Sequence, residues 1–124
     1  MVLDASAVIA MIAAEPGGDE VETTLPGAFI STVNLAEVGA RLSDAGMSDD
    51  LLDDILQIPG LRVLPFEREM AMDAVRLRRL SRSAGLSLGD RACLALARTL
   101  RLPVLTADRA WARLGLGVEI RLIR

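Results

Sequence analysis

Histidine, tyrosine and lysine are absent from this chain of 124 residues, and cysteine occurs once. Each absence removes a class of chemistry. Without His there is no Ser–His or Cys–His nucleophile pair and no His-containing zinc site. Without Lys there is no Walker-type phosphate lysine and no Schiff base. A single Cys builds neither an internal disulfide nor a thiolate zinc or iron–sulfur site, and it fits a reducing, cytoplasmic compartment. Any chemistry must therefore rest on carboxylates, hydroxyls, arginine, backbone groups or a bound metal. All 14 basic residues are Arg. The formal net charge of −3 is not that of a protein that coats nucleic acid passively.

Long hydrophobic runs are missing too. Asp4 and Glu15 bracket the apolar start, which is too short to span a bilayer and lacks the basic opening of a secretory signal. No membrane association is expected. Hydrophobic residues make up 52% of the chain and charged residues 25%. That is ordinary globular usage, enough for one cored domain over residues 1–124.

What is present alternates between short apolar strands and helices. Val2-Leu3 reads as a strand, and Ser6 to Ala14 as a helix that Pro16-Gly17-Gly18 stops. A short polar helix follows near Asp19 to Thr24, then a strand near Ala28 to Ile30. Ser31 or Thr32 can cap a helix to Asp44 with Leu35, Val38 and Leu42 on one face. Ser48 starts another helix, with Asp49 and Asp50 at its positive end. Leu61 to Leu64 reads as a third strand. The periodicity predicts a long helix from Glu67 to Ser83, turning Met70, Ala74, Leu77 and Leu80 or Ser81 inward. Ser87 opens a helix whose stretch Ala92 to Ala97 is apolar nearly all round and should be buried. Pro103 to Thr106 is a fourth strand, Arg109 to Leu114 a short helix, and Val118 to Leu122 an edge strand. The pattern implies an α/β fold, a three-layer α/β/α sandwich on a central parallel sheet.

Four acids stand at informative places. Asp4 ends the first strand and Asp108 follows the fourth; Asp90 lies in the first turn of the buried helix, and Glu37 lies within the helix after strand two. Ligands of open parallel sheets bind beyond the carboxyl ends of the strands, where the strand order reverses. With order 3-2-1-4-5, Asp4 and Asp108 share that rim, and Asp90 can join them. Crowded carboxylates repel unless a cation neutralises them. Mg²⁺ and Mn²⁺ are hard ions suited to oxygen ligands, and they support phosphodiester hydrolysis without His. Each acid also has a structural explanation. Asp4, Asp90 and Asp108 can cap helices, Asp90 as the partner of Ser87 in a capping box. Glu37 and Arg41 have the spacing of an i,i+4 ion pair.

The run Val2-Leu3-Asp4-Ala5-Ser6-Ala7 resembles the opening motif of PIN domains. Asn34 to Glu37 lies where that family has its helical Glu. Leu86 to Ala97, with Ser87-Leu88-Gly89-Asp90 at its head, looks very like the third motif of VapC-type toxins, and Thr106-Ala107-Asp108-Arg109-Ala110-Trp111 resembles the fourth. The resemblance implies a PIN fold and a Mg²⁺- or Mn²⁺-dependent endoribonuclease, the toxin half of a toxin–antitoxin pair. It implies that Asp4, Glu37, Asp90 and Asp108 are the metal-binding catalytic acids, with Asp4 and Asp90 holding the main ion. It gives Ser6 and Thr106 a supporting role through hydrogen bonds, for which capping or an ST-turn is the structural alternative. The partners it implies are structured RNA such as tRNA or rRNA, a cognate antitoxin and a second copy of the chain. A catalytically inactive PIN-fold module that binds RNA or protein is the alternative. Arg76, Arg78, Arg79 and Arg82 read first as a solvated helix face, and otherwise as a grip for phosphates or an acidic partner. Trp111, Cys93 and the five Met residues read as core.

Overall fold

The computed structural model describes residues 1–124. Five parallel strands are laid down in chain order: β1 (Val2–Leu3), β2 (Ala28–Ser31), β3 (Leu61–Leu64), β4 (Val104–Thr106) and β5 (Ile120–Leu122). They form one sheet in the order β3-β2-β1-β4-β5. The sandwich and strand order expected from the sequence are thus the observed ones.

Strand residues alternate between faces, and the core divides accordingly. Leu3, Ala28, Ile30 and Leu105 face one cluster, packed under α1 (Ala5–Ile12), α2 (Gly18–Thr24) and α3 (Thr32–Asp44), with Leu56 beside α4 (Asp49–Ile55) at its edge. Val2, Phe29, Val104 and Ile120 face the other, packed under α5 (Arg68–Leu80) and α6 (Leu88–Leu100). Residues Ala92 to Ala97 of α6 are all buried, as their all-round apolarity predicts. Trp111 and Cys93 belong to the same cluster. No helix is long and apolar enough to cross a membrane.

Several local expectations give way. The predicted helix over 67–83 ends at Leu80; a single 3-10 turn, Arg82–Ala84, leads to Gly85 at φ 64°. Leu80 is 65% exposed, whereas Ser81 is buried and donates its hydroxyl to the Leu77 carbonyl at 2.5 Å. Thus the polar residue faces inward there, because a backbone carbonyl satisfies it. The short helix expected near Arg109 is present, as a 3-10 segment over Arg109–Arg113. None of the five Met residues is fully buried and Met72 is exposed, so methionine edges the core and does not fill it.

The neighbours β1 and β4 mark where the strand order reverses. Val2 pairs with Val104 and Leu3 with Leu105, and the Asp4 amide closes the ladder on the Leu105 carbonyl at 3.0 Å. The helix α6 enters the same rim with its N-terminus. This placement follows from topology: a helix that returns the chain to the start of a parallel strand must begin at the carboxyl rim.

Candidate active site

Asp4 occupies the residue before α1, yet its side chain makes no capping bond. Its Oδ2 instead accepts the hydroxyls of Ser6 at 2.5 Å and Thr106 at 2.9 Å. The two hydroxyl oxygens lie 3.2 Å apart. Ser6 Oγ also accepts from the Ala107 amide at 3.0 Å, and Thr106 Oγ1 from the Asp108 amide at 3.1 Å. The carboxylate is therefore tied to the end of β4 through one oxygen, while Oδ1 has no protein donor. Both hydroxyls act as tertiary fasteners across a hundred residues of sequence, and Thr106 makes the ST-turn to the Asp108 amide in addition.

Asp90 is placed differently. It completes a capping box with Ser87: the Asp90 amide donates to Ser87 Oγ at 3.1 Å, and the Ser87 amide donates to Asp90 Oδ2 at 2.9 Å. Asp108 caps the 3-10 segment by accepting from the Ala110 amide at 2.9 Å. Capping is thus the local role of Asp90 and Asp108, and both still line the same cleft as Asp4.

Glu37 does not pair with Arg41; no carboxylate lies within ion-pair distance of that guanidinium. Glu37 Oε2 accepts from Asn34 Nδ2 at 2.9 Å, and the same amide group donates to the Gly89 carbonyl at 3.0 Å. The Glu37 carboxylate lies against Gly89 so closely that a Cβ there would collide with it. Asn34 is fully buried and its Oδ1 has no partner. Sequence reasoning missed the parts played by Asn34 and Gly89. The available signal was the Asn34–Glu37 spacing, which brings the two side chains together on a helix.

The cleft so formed has a volume of about 400 Å³ and is lined by Asp4, Ser6, Glu37, Arg41, Asp90 and Asp108, with Ala5, Ile9 and Ala40 as an apolar wall. Burial raises the Glu37 pKa, and the charges of Asp4 and Asp90 add to this against the opposing Asn34 hydrogen bond. Burial likewise raises that of Asp90, with Asp4 and Asp108 contributing, while its bonds to Ser87 oppose the shift. Cys93 lies within reach of the same field. Burial, with Asp4, Asp90 and Glu37, pushes its thiol well up, so it stays a protonated core residue.

The four acids of the cleft offer only oxygen donors, the chemistry a hard divalent cation requires. The four acids share a cleft, but no three of them close into a ligand cage. The reason is local: Asp90 and Asp108 are tied to caps, Glu37 to Asn34, and like charges keep apart. The donor set fits an ion that retains water or substrate positions better than one fully encased by protein.

The family model described as PIN domain matches residues 1–116. The chain belongs to the PIN domain family. Solved structures of the same fold cover nearly its whole length. A toxin–antitoxin complex from Klebsiella pneumoniae is 18% identical at a TM-score of 0.75, covering 99% of this chain and 97% of its own. DNA-bound VapBC from Salmonella typhimurium is 18% identical at 0.77, with the same coverage of 99% and 97%. VapC20 from Mycobacterium tuberculosis, described as a sarcin–ricin-loop-cleaving toxin, is 15% identical at 0.74, covering 95% and 98%. No curated protein sequence matches the chain. In this PIN domain, then, the four acids converge at the carboxyl rim, at the reversal between β1 and β4.

Proposed function

We propose that this PIN domain is a Mg²⁺- or Mn²⁺-dependent endoribonuclease and acts as the toxin of a toxin–antitoxin pair. The observation that carries the nuclease reading is the Asp4 carboxylate. It is buried, fastened through Oδ2 by two hydroxyls, and open through Oδ1 to a cleft ringed by Glu37, Asp90 and Asp108. That free carboxylate oxygen, with three further acids around the same space, is an arrangement a hard cation would complete and neutralise. Asp4 and Asp90 would hold the ion, with Glu37 and Asp108 on the flanks. When bound, such an ion supplies Lewis-acid polarisation of a phosphate oxygen and an activated water.

The chain's own residues orient and accept protons. Ser6 and Thr106 fix the rotamer of Asp4. Asn34 and Gly89 fix Glu37, whose raised pKa suits a group that takes up a proton from attacking water. Asp108, on the loop after β4, faces the same space and is the second candidate for that role. The toxin reading is supported by structures of the same fold that were solved as toxin–antitoxin complexes. A structured RNA target is supported by the loop-cleaving activity named for VapC20. A cognate antitoxin covering the cleft and a homodimer complete the reading.

The test is cleavage of total tRNA and rRNA by the purified protein with Mg²⁺, Mn²⁺ or EDTA, beside an Asp4→Asn variant purified in parallel. Discrete fragments that require metal and vanish in the variant are expected. A folded, metal-binding protein that cleaves no RNA would replace this reading with that of a binding module. Equal cleavage by the variant would remove Asp4 from the site.

A further inference from the structure

The acidic cleft repels the substrate it is read as cutting. Each phosphodiester carries a negative charge, and Asp4, Glu37, Asp90 and Asp108 present the same sign. Among the residues that line the cleft, Arg41 is the sole cation. Its position on α3, one turn beyond Glu37, invites the ion pair that helical spacing favours. That pair is not made, because Glu37 is engaged by Asn34 and seated on Gly89. Arg76 and Arg98 pair with Asp73, Arg121 with Glu119, and Arg124 with Glu15; Arg68, Arg78, Arg79, Arg82, Arg101 and Arg113 are unpaired as well, but none of them lines this cleft. Arg91 donates to the Ala74 carbonyl. Arg41 is exposed in the wall of the cleft, without a hydrogen bond or ion pair.

We propose that Arg41 is a substrate-binding residue, gripping an RNA backbone phosphate at the mouth of the acidic cleft. This rests on the ribonuclease reading and assigns that site its electrostatic counterpart. A guanidinium offers two parallel N–H donors to two phosphate oxygens, so it positions as well as attracts. The Asn34–Glu37 bond then acquires a second consequence. By holding Glu37 away, it leaves Arg41 unneutralised for the substrate.

The experiment uses the full chain and a labelled single-stranded RNA of random sequence, with affinity measured in Mg²⁺ over a series of salt concentrations. All proteins carry Asp4→Asn, so that the RNA stays intact. Arg41→Gln is compared with its parent, with Arg41→Lys, and with Arg101→Gln. Arg101 follows the C-terminus of α6, whose N-terminus carries Asp90, so it serves as a charge-matched control at the opposite rim. Loss of one phosphate contact should make the slope of log affinity against log salt shallower by about 0.7. Affinity near 0.1 M salt should fall about 10-fold, a size within the range of a charge-assisted hydrogen bond. Arg41→Lys should keep the slope and lose part of the affinity.

Equal losses in Arg41→Gln and Arg101→Gln would reduce the effect to net charge and overturn the proposal. So would affinity lost at an unchanged slope. Were Arg41 only a partner of Glu37, Arg41→Gln would lower Tm, and Glu37→Gln would abolish that loss; this too would overturn it. If the parent binds no RNA and the native chain cleaves none, the ribonuclease reading falls as well, which separates the two failures.

Discussion

Two helices of this PIN domain begin at the same rim with an aspartate, and the two aspartates are used differently. At α1, Asp4 stands in the capping position and caps nothing; its carboxylate is bound sideways by Ser6 and Thr106. At α6, Asp90 completes a reciprocal capping box and lines the cleft as well. A cap and a ligand-binding carboxylate are compatible when one oxygen serves each. The difference lies in what holds the side chain. Asp90 is fixed by residues of its own turn, whereas Asp4 is held by Ser6 of its own turn and also by Thr106, at the end of a strand that arrives a hundred residues later. The fastening of Asp4 is therefore complete only once the sheet has formed, while Asp90 can be positioned by α6 alone.

The largest effect should come from Asp4→Asn. An Asn carbonyl can still accept both hydroxyls, so the fold should persist. RNA cleavage should fall roughly 100-fold or more, given that an ion's transition-state stabilisation is worth several kcal/mol. Near-native cleavage rates would break the comparison at once.

Asp90 allows its two roles to be separated. Asp90→Asn keeps the acceptor for the Ser87 amide, so it should lose cleavage without losing Tm. Asp90→Ala should lose cleavage and about 1 kcal/mol of stability with the cap. Denaturant melts of both variants beside their rates check this. Equal stability of the two would mean that the bond from the Ser87 amide to Asp90 contributes nothing.

Gly89→Ala is expected to act on function more than on fold. Its new methyl meets the end of a flexible side chain, the Glu37 carboxylate. Glu37 can swing aside, and Ala suits a helix better than Gly. Tm should hold or rise while cleavage drops about 10- to 100-fold, the cost of misplacing one group by an ångström or so. A smaller effect is expected of Thr106→Val, which removes one of the two hydroxyls on Asp4. Loss of an outer-shell partner of this kind should cost about 10-fold in activity.

The smallest effect is a dependence of stability on pH. The Glu37 pKa is raised in the folded protein above its ordinary value of 4.5. Between those two values the folded state holds a proton that the unfolded state has released, so stability falls as pH rises through the folded pKa. Glu37→Gln keeps an oxygen for Asn34 and removes the charge. It should melt above the native chain at pH 7, with the gap closing as pH falls through the raised folded pKa toward 4.5. A gap that widens on acidification would reverse the sign of the shift.

Much of this arrangement was legible in the sequence because it follows from chain direction. Strand ends and helix starts meet at one rim, so Asp4, Asp90 and Asp108 could be placed there from periodicity and turn residues once the PIN-like strand order was assumed. Their capping alternatives were legible for the same reason, and the structure divides them: Asp90 and Asp108 cap, and Asp4 does not. What could not be read were choices decided by residues far away in the chain. Glu37 takes Asn34 over Arg41 because Gly89 of α6 offers a seat without a side chain and a carbonyl that orients Asn34. Ser81 turns inward in preference to Leu80 because a carbonyl of the preceding turn accepts its hydroxyl. The short helix read over Arg109 to Leu114 is present, but five or six residues carry too little pattern to tell an α from a 3-10 segment, and it is the latter.

The most direct measurement is Mn²⁺ titration read as a shift in Tm, on the native chain, Asp4→Asn and a surface control, Asp19→Asn. An ion that binds only the folded cleft raises Tm in proportion to the logarithm of its concentration once the site saturates. Tm should rise for the native chain and the control, and stay flat for Asp4→Asn. An equal rise in all three would contradict it, since the ion would then bind without the carboxylate around which the cleft is built.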